Sequence, residues 1–198
     1  MTQRLAAAIL ALPLLASAAA VAQDQPILLP TRDVAVTFRL TGSNQQPGPI
    51  HAAWSASQRS LRVDNSSAPG WLLVQQQSQR AFMVMPQGLV MRLPAAPDIA
   101  KMLDNPQAQG RVTRGGRRTI AGYQCTDWQI ERRDGKGGIA CITPDGVLLR
   151  AQQTGRRELL EATEVAYGRQ DPARFQLPQG APQIDLPSNL SGLRLPGG

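Results

Sequence analysis

The 198-residue chain carries a net charge of +7, two cysteines and one histidine. Such a length suits one domain with a real core and is short for two. So few cysteines and histidines leave little room for a four-ligand structural zinc site or a thioredoxin-type redox centre.

The first residues, MTQRLAAAILALPLLASAAAVAQ, place Arg4 before an apolar run from Leu5 to Leu15. Small residues follow, and Ala20-Val21-Ala22 fits a cleavage site. This is the pattern of a secretory signal peptide over residues 1–22. Pro13 and the Ala/Ser stretch make the run short for a membrane-spanning helix. No cysteine stands at the cleavage site to take a lipid. The expectation is a periplasmic, soluble mature protein, in a compartment where two cysteines are most simply one disulfide.

The segment VAVTFRL (Val34–Leu40) alternates, with Val34, Val36, Phe38 and Leu40 on one side. That period of two describes a half-buried strand. A Gly/Pro-rich loop follows. IHAAWSA, SLRVD, WLLVQ, RAFMVM and LVMRL then succeed one another between turn residues, as in an antiparallel meander. The pattern breaks at Pro94–Pro97. In DIAKMLDN, Ile99, Met102 and Leu103 fall at helical spacing, and Asn105-Pro106 ends the run. One short helix is expected here, covering the concave face of the sheet.

Strands resume with RVTRG, then TIAGYQCTDWQIER, GGIACIT, VLLRAQQT and LLEATEVAY. Propensity alone would allow LLEATEVAY to be helical, but its alternation and its place after a hairpin favour a strand. The half-barrel domain is expected over residues 31–180. The Pro/Gly-rich residues 181–198 read as a disordered tail. The fold class expected is mainly β: an antiparallel meander forming an unclosed half-barrel with one short helix.

Cys125 and Cys141 bracket CTDWQIERRDGKGGIAC. Their spacing is wrong for C-x-x-C redox chemistry, so a disulfide is expected. A two-residue turn at Asp134-Gly135 would place Cys141 opposite Trp128, and a turn centred on DGKGG would place it opposite Glu131. Direct pairing of the cysteines needs a loop centred on Arg133, or a bulge.

His51, on the strand parity opposite Trp54, reads as a surface or rim residue with no triad around it. The glycines of DGKGG lack the context of a phosphate loop. No acid and base pair stands out, so no catalytic residue, metal or cofactor is assigned. Met83, Met85, Met91 and Met102 cluster in one window. Together with Phe38 they are candidates for an adaptable apolar ligand surface. Between residues 111 and 157, ten basic residues stand against four acids. Arg111, Arg114, Arg117, Arg118, Arg132 and Arg133 form the candidate basic face. Such a face reads first as a solvated surface that serves solubility; for an exported protein without nucleic-acid motifs, the partner it would fit is an anionic membrane surface or an acidic protein.

The runs TIAGYQCTDWQI, IACITPDGVLLR and DPARFQLPQG resemble an uncharacterised domain-of-unknown-function group of proteobacterial periplasmic proteins over about residues 31–180. The matching positions are Ala121, Gly122, Cys125, Trp128, Cys141, Asp145, Gly146, Val147, Phe175, Leu177 and Pro178. That group in turn is similar to the lipoprotein-localisation carriers (LolA/LolB-like). The resemblance implies an open antiparallel half-barrel with a helical lid over an apolar cavity. It also implies a non-catalytic binding protein holding a lipid or lipoprotein acyl chain, or an apolar segment. The alternative is an envelope interaction protein that uses its basic face. Oligomeric state is not legible.

Overall fold

The alternating run Val34–Leu40 becomes the centre of one sheet. In the computed structural model, which describes residues 25–43, 48–94, 110–132, 135 and 137–186, β1 (Val34–Thr41) buries Val34, Val36 and Phe38 and exposes Arg39. A meander leads away from it: β2 (Ile50–Ser55), β3 (Ser60–Asn65), β4 (Trp71–Gln75), β5 (Arg80–Val84) and β6 (Val90–Leu93). A second meander comprises β7 (Gly110–Ile120), β8 (Tyr123–Arg132), β9 (Gly137–Ile142), β10 (Leu148–Gln153) and β11 (Leu159–Tyr167). β11 returns to pair antiparallel with β1 and fuses the two meanders. A last short strand, β12 (Gln183–Asp185), joins β6 in parallel. The order is β12-β6-β5-β4-β3-β2-β1-β11-β10-β9-β8-β7, and β12 and β7 do not meet. The fold is mainly β and unclosed, as expected, and LLEATEVAY is the strand β11.

From β2 to β6 the sheet has cover on both faces. The inner face carries Val34, Val36, Phe38 and Trp54, which join Cys125, Cys141, Val147, Leu149 and Ala162 in one buried cluster. On the outer face Ala53, Leu73, Phe82, Val84 and Val90 form a second cluster, filled by Phe175 from the C-terminal segment. Phe175 ends a 3-10 turn (Pro172–Phe175), and the Asp171 carboxylate accepts the Ala173 N–H at its start. This is the expected chemistry for a cap followed by proline at the first position. Arg62 fastens the segment. It donates to the Asp64 carboxylate at 2.8–3.1 Å, lies 4.0 Å over the Trp71 ring and donates to Arg174 O at 3.1 Å.

The structure corrects the sequence reading at three places. TIAGYQCTDWQIER is not one strand. Ala121 (φ 49°) and Gly122 (φ 83°) form the two-residue corner between β7 and β8, a left-handed pair that matches the sheet twist. The cysteines do bond, with Cα atoms 5.4 Å apart, but they are not directly paired. Cys141 faces Asp127, and Cys125 reaches it diagonally across β8 and β9. Lastly, the expected tail is ordered at its start: Ala181 packs on the outer cluster and Gln183–Asp185 pair with Val90–Arg92. Residues 1–24, with the expected signal peptide, the expected helix around Ile99–Leu103 and residues 187–198 lie outside the described residues.

Candidate apolar groove and its rim

Strand register gathers apolar side chains on the inner face. Val34 pairs with Trp54, Val36 with Ala52 and Phe38 with Ile50. β3 continues the rows, with Leu61 opposite Trp54 and Val63 opposite Ala52. Val74 of β4 then faces Leu61. These residues line a groove of about 320 Å³, bounded also by Leu28–Pro30, Gly146–Leu148, Leu160 and Gln76. The volume falls at the lower end of ligand pockets, which run from roughly 300 to 1,000 Å³. Of the lining residues only Gln76 and Trp54 carry a polar atom in the side chain. Arrangements of this kind accept hydrocarbon and repel charge.

One wall is not a strand. Residues 28–30 cross the end of the barrel against the turn between β9 and β10. There Gly146 has φ 93°, and a Cβ on it would stand 2.5 Å from Leu29 O. The close approach therefore needs glycine. Thr31 N–H donates to Asp145 O at 3.0 Å. Beside it the Asp145 carboxylate accepts from Thr143 Oγ1 (2.6 Å), Arg32 Nε (2.8 Å) and Tyr167 Oη (3.1 Å). Burial pushes the Asp145 carboxyl up, but these three hydrogen bonds and the Arg32 charge outweigh it and hold it below the usual aspartate value. Burial and the hydrogen bond to Asp145 raise the Tyr167 hydroxyl. Arg32 also lies 3.7 Å over the Tyr167 ring, and Tyr123 meets that ring edge-on at 5.4 Å. Asp33 adds a second tie, with its carboxylate accepting the N–H groups of Ala56 (2.8 Å) and Gln170 (2.9 Å).

Of the apolar candidates, Phe38 lines the groove. Met83 and Met91 face each other across β5 and β6. Met83 is opposite Leu72, which is opposite Val63. They therefore share the inner face but lie beyond the groove wall, toward the β12 edge. Met85 belongs to the tight turn after β5, where its N–H donates to Leu89 O. Met102 lies outside the described residues. The wall is built from Val36, Ala52, Trp54 and Leu61 instead, and the alternation of their strands was the signal that pointed to them.

The basic candidates are divided. Arg111, Arg114 and Arg117 are exposed along β7, the last strand of the sheet among the described residues. Arg114 lies 5.8 Å over the Trp128 ring, whereas Arg118 is paired with Asp127 at 2.6 Å. Arg132 closes β8, half-buried, and Arg133 lies outside the described residues. His51 is exposed on β2, its Nδ1 3.2 Å from Thr37 Oγ1. Among the described residues no three His, Cys, Asp or Glu side chains come together to hold a metal. No helix among them is long and apolar enough to cross a membrane.

The class defined by this geometry is an open antiparallel half-barrel with an apolar groove on its inner face. No protein-family model and no curated protein matches the chain. The fold is similar to that of an uncharacterised conserved protein from Thermus thermophilus, with TM-score 0.56 and 11% identity over 79% of this chain and 91% of that one. PNGF-II is similar with TM-score 0.52 and 12% identity, over 79% of this chain and 31% of that one. A chain of the Pseudomonas aeruginosa MucA/MucB complex gives TM-score 0.51 and 13% identity, over 78% of this chain and 58% of that one. This chain thus spans less than two thirds of the length of those last two structures, and the likeness to all three is in the fold.

Proposed function

We propose that this protein is a periplasmic, non-catalytic binding module that holds an acyl chain, or an apolar protein segment, in its half-barrel. The observation that carries the reading is the groove. Some 320 Å³ of concave space is walled by Val, Leu, Ile, Ala and Phe side chains, and apolar concavities are the usual small-ligand sites. The signal-like first 22 residues and the Cys125–Cys141 bond fit an oxidising compartment. The similar fold in a complex described as MucA/MucB makes a protein segment the second class of occupant. Native mass spectrometry of protein purified from the periplasm tests the reading, with a co-purifying lipid as the expected result. A fluorescent fatty acid should bind the wild type with little dependence on salt, and Ala52→Phe, which fills the groove, should weaken it at least tenfold. Undiminished binding in that variant removes the groove as the site.

A second reading has its own observation, the three exposed arginines along β7. Binding of that strand to anionic lipid or an acidic protein would fall steeply as salt rises. Salt titration separates the two readings.

A further inference from the structure

The groove has two unlike ends. Along β1, Phe38 and Ile50 pair at one end, and Val34 and Trp54 at the other. At the Phe38 end the wall is hydrocarbon. At the Trp54 end the row continues through Leu61 and Val74. Gln76, two residues beyond Val74, falls on the same face. Both polar side chains of the wall are therefore gathered at one end. Trp54 is only 5% exposed, and its Nε1 is buried with no hydrogen-bond partner among the described residues. A buried donor with no acceptor is a standing cost to the fold, and buried indole N–H groups ordinarily find a partner. Trp54 also borders a recess lined by residues 25–31, so its side chain stands where this N-terminal segment meets the groove.

We infer that the Trp54 indole N–H is the polar anchor of the groove, donating to the carbonyl oxygen of an acylated ligand. The chain of that ligand runs past Val36 and Ala52 toward Phe38 and Ile50. The inference rests on reading the groove as an acyl-chain site, and it adds a direction and a chemical class to it. A pure hydrocarbon would leave the donor unmet, whereas an acid, ester or amide carbonyl would satisfy it and keep its tail in the apolar end. The N–H is shielded from water, so the acceptor reaches it as residues 25–30 yield. That segment is tied to the barrel just after its apolar part, at Thr31 and Arg32.

The test compares lauric acid, methyl laurate and dodecane as competitors of a fluorescent acyl probe, on wild type and on Trp54→Phe. One neutral hydrogen bond predicts that the variant binds methyl laurate about 5- to 10-fold more weakly, with dodecane unchanged. A loss confined to lauric acid supports the anchor and assigns it to a free carboxyl, and a loss for the ester as well assigns it to any acyl carbonyl. Should Trp54→Phe fold poorly, indole N–H resonances of the wild type give the same answer. Methyl laurate should shift that of Trp54 and leave those of Trp71 and Trp128. Equal weakening of methyl laurate and dodecane, or an unmoved Trp54 resonance with ligand bound, overturns the anchor and leaves the groove. Binding of none of the three chains overturns both.

Discussion

The two meanders solve the same problem by different means. From β2 to β6 the sheet has apolar cover on both faces, with Phe175 plugging the outer one. The β7–β10 half is more open to solvent: β7 is almost wholly exposed, and Ile139 on β9 is 42% exposed. The first half is held by burial, which is non-directional and scales with area. The second half has less to bury, and a covalent bond ties its strands. A small or one-sided core is where a disulfide adds most.

Phe175→Ala should show the largest effect, because it empties a fully enclosed site. A loss of about 3–5 kcal/mol is expected from urea denaturation. A loss under about 1 kcal/mol would mean that the C-terminal segment is a passenger and that the halves differ less than they look. Replacing both cysteines with serine should cost about 3 kcal/mol, the value for a loop of similar length. Hydrogen exchange should quicken in β8 and β9 and stay slow in β3–β5; uniform quickening would erase the distinction between the halves.

Asp145→Asn tests the joint where the N-terminal segment meets the β9–β10 turn. Its carboxyl is held below the usual aspartate value, so its stabilisation is full above that ordinary value and is lost as pH falls through the lowered one. The variant should be less stable by about 1 kcal/mol at neutral pH, the Arg32 partner being largely in solvent. Its gap from wild type should close toward low pH, measured by denaturation at stepped pH. A gap independent of pH would mean that shape, not charge, holds the segment. Smallest of all, Arg114→Ala with Arg117→Ala should change stability by less than about 0.5 kcal/mol. Binding to anionic vesicles, if β7 serves that purpose, should weaken and lose part of its salt dependence.

What the sequence made legible follows the same division. Alternation exposed β1 and β11 because one face of each is the more buried and the other the wetter, which is when period two is written most clearly. It also fixed the parity of His51 against Trp54. The corner at Ala121-Gly122 was missed because Ala is an unusual residue for φ 49°, and the common hairpin signal is Asn-Gly or Asp-Gly. The cysteine register was missed because arithmetic on a hairpin considers partners directly across, whereas the bond runs diagonally. The methionines drew attention by composition, but the groove follows the pleat. Its wall is set by cross-strand neighbours on β1 to β4, which no single window displays. The order of Gln183–Asp185 was hidden for a related reason: its pairing with β6 is parallel and distant.

The place of β1 has a consequence for how the chain comes together. Its partner on one side, β2, is the next strand along, so that hairpin can form as soon as both have emerged. Its partner on the other side is β11, where Thr163 bonds Thr37 across 126 positions. Until β11 arrives, the middle of the future sheet is a raw margin of unpaired backbone, open to any other extended chain. Assembly should therefore be slow, as it is for sheets closed by distant contacts. The half-made protein is then a natural client for a chaperone, and its exposed margin closes only once β11 has been delivered.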